Sequence, residues 1–448
     1  MIDKETALAR CQELIALAQK TGADAADAVA SANASEAVSM RLGKLEEVER
    51  SESEEIGLRV FVGKRSASIH TSDFAPEGLK ALAERAVQMA RHAPEDRYAG
   101  LAPADAQFTG DLPDLELDDP DQPDPAALRE AALATEEAAR AVEGVTNSNG
   151  GSASASRAVV ALATSTGFAR GYAGSGFSLS ASVVAGEGSS MQTDHASRGA
   201  RFLADLPAPE TVGSEAGRRA VERLNPKSIA SSKLPILFEP RIAGGLISHL
   251  LGAMSAPAIA RKASFLLGHE ADELFDPAIR IVEDPLRKRG QRSRPFDGEG
   301  VRTGPRELVR DGRVTGWLTN VSSADQLGLE LTGHASRGGG GSPGVSASNV
   351  HMEPGTVSPE ALMEDIEDGL YVTSLFGQGV NTVTGDYSRG ATGFRIRKGQ
   401  IAEPVAEITI AGNLLDMYRA LTPADDLEMH RSINVPTLRI DGMMVAGE

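Results

Sequence analysis

The chain has 448 residues, enough for two or three domains, and carries 45 Lys and Arg against 63 Asp and Glu, a formal net charge of −18. A field of that sign opposes extended contact with DNA or anionic lipid, so direct nucleic-acid binding is not expected. Cys11 is the only cysteine, which excludes an internal disulfide and a cysteine-based zinc knuckle.

The opening "MIDKETALAR" is polar and gives no signal-peptide pattern, so a cytoplasmic protein is expected. Residues 4–20 place Ala7, Leu8, Cys11, Leu14, Ile15 and Ala18 on one helical face. "EEIGLRVFV" alternates Ile56, Leu58, Val60 and Val62 as a half-buried strand, continued by "SASIH". "PEGLKALAERAVQMARHA" is again an amphipathic helix. Residues 93–125 are acidic and proline-rich and read as a long connection. A helix over about 125–142 follows, with Asp124 as its N-cap. Residues 146–203, rich in Ser, Gly, Ala and Val, read as closely packed strands, and a helix is expected at 208–223.

A boundary near Asn225-Pro226 divides the chain into domains of residues 1–225 and 226–448. The second half opens with the short strand "LPILFEP" and the helix-compatible "GGLISHLLGA" (Gly244 to Ala253). The uncharged stretch from Ile242 to Ala260 contains His249, Pro257, three glycines and two serines, too polar for a membrane span. "ELVRDGRVTGWL" turns at Asp311-Gly312 and "GFRIRKGQIAEPVAEITI" at Lys398-Gly399, both hairpin signals. A helix near 413–421 and "LRIDGMMV", read as a strand pair or edge strand, complete an α+β reading: two domains, each with a mostly antiparallel or mixed sheet and helices packed on it.

Candidate chemistry is sparse. His249 stands alone: its helical neighbours at three and four residues are Leu246, Gly252, Gly245 and Ala253, none of which ligates zinc. His269 in "GHEADE" reads as a solvated acidic turn, and the basic "LRKRGQRSRP" as a solvated loop. Residues 339–344 formally match G-x-S-x-G and G-x-G-x-x-G, but a strand-like "VSASNVHM" follows where a helix N-terminus is required. "NTVTGDYSRGATGF" (381–394) interleaves Thr384, Asp386, Ser388 and Arg389 with Gly385, Gly390 and Gly393, a pattern able to grip peptide main chain or termini. Its bland alternative is a turn in which Asp386 and Arg389 pair with each other.

Several stretches together resemble the PmbA/TldE branch of the TldD/PmbA metallopeptidase family. They are "SFLLG" (Ser264, Phe265 onward), "RPFDGEG" (with Phe296, Asp297 and Glu299), "VTGDYSRGATGF" and "EITIAGNLLDM" (with Asn413). "GLRVFVGKRSASIHTSD" and "TSTGFARGYAGSGFSLSASVVA" resemble the family's first domain, so the likeness spans essentially the whole chain. It implies the TldD/PmbA fold and a role in intracellular proteolysis. In that family a TldD-type subunit carries a zinc-binding HExxxH helix and pairs with a TldE-type subunit, the pair acting on unfolded peptides. The HExxxH positions fall on Ser248, His249 and Ala253, so both metal histidines and the glutamate base are replaced. The resemblance therefore implies no catalytic residue and no metal in this chain, with zinc expected only in a TldD-like partner. Thr384, Asp386, Ser388, Arg389 and Gly390 are the candidate substrate-binding residues, and unfolded peptides the expected ligands. Self-association as a homodimer is one expectation for the chain alone. A different class stays open: an interaction protein that modulates DNA gyrase or a toxin–antitoxin system without proteolytic work.

Overall fold

The computed structural model describes residues 1–338 and 341–447. Helix α1 (Lys4–Thr21) begins at Asp3, whose carboxylate accepts the Thr6 N–H, and ends at Gly22 in the left-handed region. A long ribbon follows, β1 (Ala25–Arg41), β2 (Lys44–Val62) and β3 (Arg65–Thr71), then α2 (Pro76–His92). After a stretch without regular structure come α3 (Pro125–Arg140), β4 (Val145–Thr164), β5 (Ala169–Ala185), β6 (Gln192–Ala200) and α4 (Pro209–Glu222). Among the described residues these strands form one antiparallel sheet in the order β3-β2-β1-β4-β5-β6.

All four helices cover the same face. Ala26, Ala28, Ala30 and Ala32 of β1 meet Ala7, Cys11 and Leu14 of α1 and Leu79 and Ala83 of α2. Farther along the sheet, Val38, Phe177 and Leu179 meet Leu128 of α3 and Val212 and Ala216 of α4. Small strand residues let the helices approach closely. A Cβ on Gly213 would sit 2.1 Å from the Thr135 carbonyl, so α4 crosses α3 nearly backbone to backbone. The opposite face is lined by hydroxyls: Ser152 bonds Ser180 at 2.9 Å and Ser154 bonds Ser178 at 2.8 Å across β4 and β5.

The second half contains β7 (Ser232–Phe238), α5 (Pro240–Ala253), α6 (Ala256–Ala260), β8 (Ile281–Glu283), β9 (Arg306–Arg310), β10 (Arg313–Val314) and α7 (Val321–Leu327). It continues through β11 (Ala335–Ser336), β12 (Gly344–Val345), β13 (Val350–Met352), α8 (Pro359–Met363), β14 (Asp368–Phe376), β15 (Asp386–Arg397) and β16 (Gln400–Asn413). The last elements are α9 (Leu414–Arg419), β17 (Leu421–Pro423), β18 (Ile433–Asn434) and β19 (Leu438–Ala446). The main sheet runs β16-β15-β14-β7-β19-β17, and β16 also pairs with β19 through Thr409↔Ala446 to Ala411↔Met444. The sheet thus closes on itself rather than staying open. Register shifts at Ala391/Gly393 and Ile440/Met443 bend the strands enough for closure. Gly393 is required at the bend, because a Cβ there would lie 2.0 Å from the Tyr371 carbonyl oxygen. Helix α5 presents Ala243, Leu246, Ile247, Leu250 and Ala253 to the same core as Phe238, Val372, Tyr387 and Ile410.

Residues 93–124 form no helix or strand, yet Leu115, Leu117 and Asp119 are buried. The segment is a strap: the Phe108 N–H donates to the Gly300 carbonyl, and Glu116 takes ion pairs from Lys288 and Arg289 at 2.5 and 2.7 Å. The basic cluster read as a solvated loop therefore has partners, Glu116 and Asp205, in the first half. Among the described residues, no helix is long and apolar enough to cross a membrane.

Candidate functional site

Helix α5 is held at its middle and at its C-terminal end by side chains from later in the chain. The Tyr418 hydroxyl, fully buried, donates to the Leu246 carbonyl at 2.8 Å. The Ser264 hydroxyl donates to the Ala253 carbonyl at 2.7 Å, satisfying one of the acceptors that every helix C-terminus leaves open. The next residue, Phe265, donates its N–H to the Thr382 carbonyl, tying the end of α5 to the segment before β15. Asn413 completes this scaffold: its side chain caps α9 at the Leu415 N–H and donates to the Thr384 carbonyl at 2.9 Å and to Asp386 at 3.3 Å.

Ser248, His249 and Ala253, the positions that the resemblance sets at a zinc helix, do not make a donor set. Ser248 is exposed and returns its hydroxyl to the Gly244 carbonyl at 3.0 Å. His249 is half-buried and sets its ring edge against Tyr387. Ala253 is buried and has no donor atom. Among the described residues, no three His, Cys, Asp or Glu side chains converge as a metal site would require. Burial, and secondarily the Arg389 charge, lower the pKa of His249. Burial raises the Tyr387 phenol to about 12 against the opposing Arg389 charge, and its hydroxyl has no hydrogen-bond partner among the described residues.

The segment 381–394 splits by strand alternation. Asp386 and Ser388 are exposed, while Tyr387 is buried and Arg389 and Gly390 are half-buried. Asp386 accepts the Thr384 hydroxyl at 2.6 Å, and Arg389 donates through Nε to the Phe376 carbonyl at 3.2 Å. Among the described residues, these contacts replace the Asp386–Arg389 pair named above as the bland alternative. The hydrogen bond to Thr384, then that to Asn413, lowers the Asp386 pKa. Both main-chain edges here are already used: β16 pairs on one side, and on the other Ser388 donates to Gly379 and Asn381 donates to the Asp386 carbonyl. A Cβ on Gly379 would lie 1.8 Å from the Ser388 carbonyl oxygen, which explains the glycine. What Thr384, Asp386 and Ser388 offer a ligand is therefore side chains, not an open strand edge. Gly339 and Gly340 of the glycine run lie outside the described residues. Ser342, Pro343 and Gly344 border an inter-half cleft of about 430 Å³ with Arg59, Arg261 and Glu299.

Phe296, Asp297 and Glu299 join the two halves. Phe296 packs edge-on against Phe168 at 5.1 Å and Tyr172 at 5.5 Å. The Asp297 carboxylate accepts three main-chain N–H groups, from Glu299, Val301 and Ala335. Glu299 accepts Arg59 at 3.1 Å and the Val321 N–H at 2.8 Å, and Arg59 and Arg337 both grip Asp27. All four charged side chains are at least nine-tenths buried.

The sequence reading missed a second charged cluster on the same seam. Asp194 of β6 pairs with Arg223 at 2.9 Å and Arg241 at 2.7 Å. Glu239 pairs with Arg219 and Arg241, and Glu215 with Arg198 and Arg219. One signal was available: Arg241 stands in the first turn of α5, where the helix dipole disfavours a cation unless carboxylates surround it.

Comparison with known proteins places this architecture. The descriptions PmbA/TldA metallopeptidase domain 1, central domain and C-terminal domain match residues 26–90, 118–224 and 231–447. The chain is 36% identical to the Metalloprotease PmbA of Escherichia coli O157:H7, over 95% of this chain and 93% of that protein. It is 37% identical to a Metalloprotease PmbA homolog of Haemophilus influenzae, over 99% of each. Among solved structures, a Bacteroides thetaiotaomicron protein described as a candidate modulator of DNA gyrase superposes with a TM-score of 0.91 at 24% identity, covering 100% of both chains. TldE from Thermococcus kodakarensis superposes with a TM-score of 0.86 at 21% identity, covering 98% of this chain and 100% of that one. With three domain descriptions in order and full-length relatives above a third identical, the chain belongs to the PmbA/TldD metallopeptidase family.

Proposed function

We propose that this chain is the TldE-like subunit of a two-subunit intracellular metalloprotease acting on unfolded peptides, and that it holds substrate and completes the chamber rather than cleaving. The observation that carries this reading is Ser248, His249 and Ala253 in place of a zinc helix's two histidines and glutamate. A hydroxyl, one half-buried imidazole and a methyl group do not supply a zinc ligand set, and no glutamate stands there to activate a metal-bound water. The zinc and its chemistry then belong to a TldD-like partner. Exposed Thr384 just before β15, Asp386 and Ser388 on it, and the serine-lined face of the first sheet give an extended chain polar contacts without sequence preference.

The test is metal analysis and a peptidase assay on the purified chain, with and without a TldD-like chain. Cleavage only in the mixture, slowed by Asp386→Ala or Arg389→Ala, is expected. Stoichiometric zinc together with chelator-sensitive cleavage by this chain alone would sink the proposal. A second reading, an interaction protein that modulates DNA gyrase, is favoured by the descriptions of two structural neighbours from Bacteroides thetaiotaomicron and Thermotoga maritima. Recovery of gyrase rather than a TldD-like chain on co-purification would select it.

A further inference from the structure

The charged cluster beside α5 does not balance. Five guanidinium groups, Arg198, Arg219, Arg223, Arg241 and Arg431, share three carboxylates, Asp194, Glu215 and Glu239. That leaves a surplus of two positive charges in a protein whose net charge is −18. Arg431 has no carboxylate within ion-pair distance among the described residues; its Nε contacts the His430 ring at 3.1 Å. Burial, then the neighbouring Arg198, Arg241 and Arg219 charges, lower its pKa. A half-buried cation amid like charges is costly unless an anion visits it.

The surplus faces a cleft of about 420 Å³ between the two halves, lined by Ser197, Ser248, Gln291, Arg292, His430 and Arg431. No lining residue is acidic. Its wall on α5 is bare: a Cβ on Gly245 would meet nothing within 4 Å, and Ser248 is exposed. Its other wall is the outer edge of β6, the last strand of the first sheet. On that edge Arg241 takes the His195 carbonyl at 3.1 Å and Gln291 takes the Gly199 carbonyl at 3.1 Å. The main chain of Ser197, between them, points the same way because alternate residues of a strand share an edge.

We propose that this cleft is a carboxylate-binding site, with Arg431 and Arg292 as its cations, that seats an acidic group of an extended polypeptide lying between Ser197 and Ser248. The carboxylate comes either from the peptide's C-terminus or from an Asp or Glu side chain. Planar guanidinium groups match the two oxygens of a carboxylate, and the space between the Ser197 main chain and the bare face of α5 admits an extended chain. The inference rests on the polypeptide-holding role proposed above and adds the chemical group recognised.

Binding of dye-labelled unstructured peptides to the full chain, followed by fluorescence anisotropy, tests it. Three peptides share one sequence without acidic residues: a free acid, a C-terminal amide, and an amide with one internal Glu. The free acid, the Glu peptide or both bind about tenfold or more tighter than the plain amide. Arg431→Gln abolishes that preference, and Arg292→Gln, at an exposed position, weakens it with the fold intact. Which peptide gains tells a terminal carboxylate from a side-chain one. Equal binding of all three peptides, or a preference that survives Arg431→Gln, overturns the carboxylate site while leaving the polypeptide role standing. No binding of any peptide removes both.

Discussion

The imidazole of His249 meets the ring of Tyr387 edge to face, with centroids 6.3 Å apart and planes at 77°. The contact joins α5 to the strand carrying Asp386, Ser388 and Arg389. Burial first, and the Arg389 charge second, keep His249 neutral below the pH at which a free histidine protonates.

The NMR titration of His249 is therefore expected to fall below the ordinary histidine value of about 6.5, and Arg389→Ala is expected to raise it only part of the way, since burial remains. The linkage has a definite sign. As pH falls below about 6.5 the unfolded chain takes up the proton before the folded one, so this group's stability contribution is lost down to the folded pKa. A midpoint at or above the ordinary value would contradict the assignment.

Tyr418 fixes where α5 sits. Tyr418→Phe removes the bond to the Leu246 carbonyl but keeps the ring stacked on Phe275, so a loss of about 1 kcal/mol is expected in urea unfolding. Tyr418→Ala also leaves a cavity and is expected to cost about 3–5 kcal/mol. Similar losses for the two variants would show that the ring's packing contributes nothing.

Ser264 anchors the C-terminal end of the helix. Ser264→Ala leaves the Ala253 carbonyl and the Leu266 N–H without their buried partner, an expected cost of about 1–2 kcal/mol. Ser264→Thr, which restores the hydroxyl, should regain part of it; thermal melts of the two variants decide.

The seam ion pairs are separable by substitution. Arg59→Met strands the buried Glu299 carboxylate and weakens the hold on Asp27, with an expected destabilisation of about 3 kcal/mol or more. Adding Glu299→Gln removes one stranded charge and should recover part of the loss. Additive losses in the double variant would mean the two side chains act independently.

Asp194 supplies an acid-range signature. Burial alone would raise its pKa, but Arg241, the His195 N–H and Arg223 outweigh it and hold the carboxyl at about 2. A depressed carboxylate stabilises the fold above the unfolded value of about 3.9, and that contribution fades as pH falls toward 2. The stability difference between wild type and Asp194→Asn should be flat from pH 7 to about 4 and shrink below. A difference unchanged down to pH 2 would show that the ion pairs do not hold the carboxyl.

What the sequence could reveal was local. Asp311-Gly312 and Lys398-Gly399 have positive φ at both residues, as two-residue hairpin turns require, and dipeptide chemistry alone predicts that. The apolar spacing of α5 and the Asp124 cap are likewise written within a few residues and stand in the structure. β1 escaped because its buried face is Ala26, Ala28, Ala30 and Ala32, too weakly apolar to stand out against neighbouring small residues. The start of β2 is exposed and acidic and gives no alternation at all.

Of the candidate site, the sequence reached Thr384, Asp386 and Ser388 as polar residues set among glycines, which the structure exposes, because that depends only on which residue stands where. Their partners belong to the tertiary structure. Arg337 meets Asp27 across 310 positions, Tyr418 meets Leu246 across 172, and Arg431 and Ser248 line one cleft with Ser197 of the first half. Barrel closure between β16 and β19 and the charge surplus beside α5 are sums over distant segments. Local sequence fixes dihedral preference and which face is apolar; which charges end up beside one another depends on how the two sheets pack, and no short window of residues contains that.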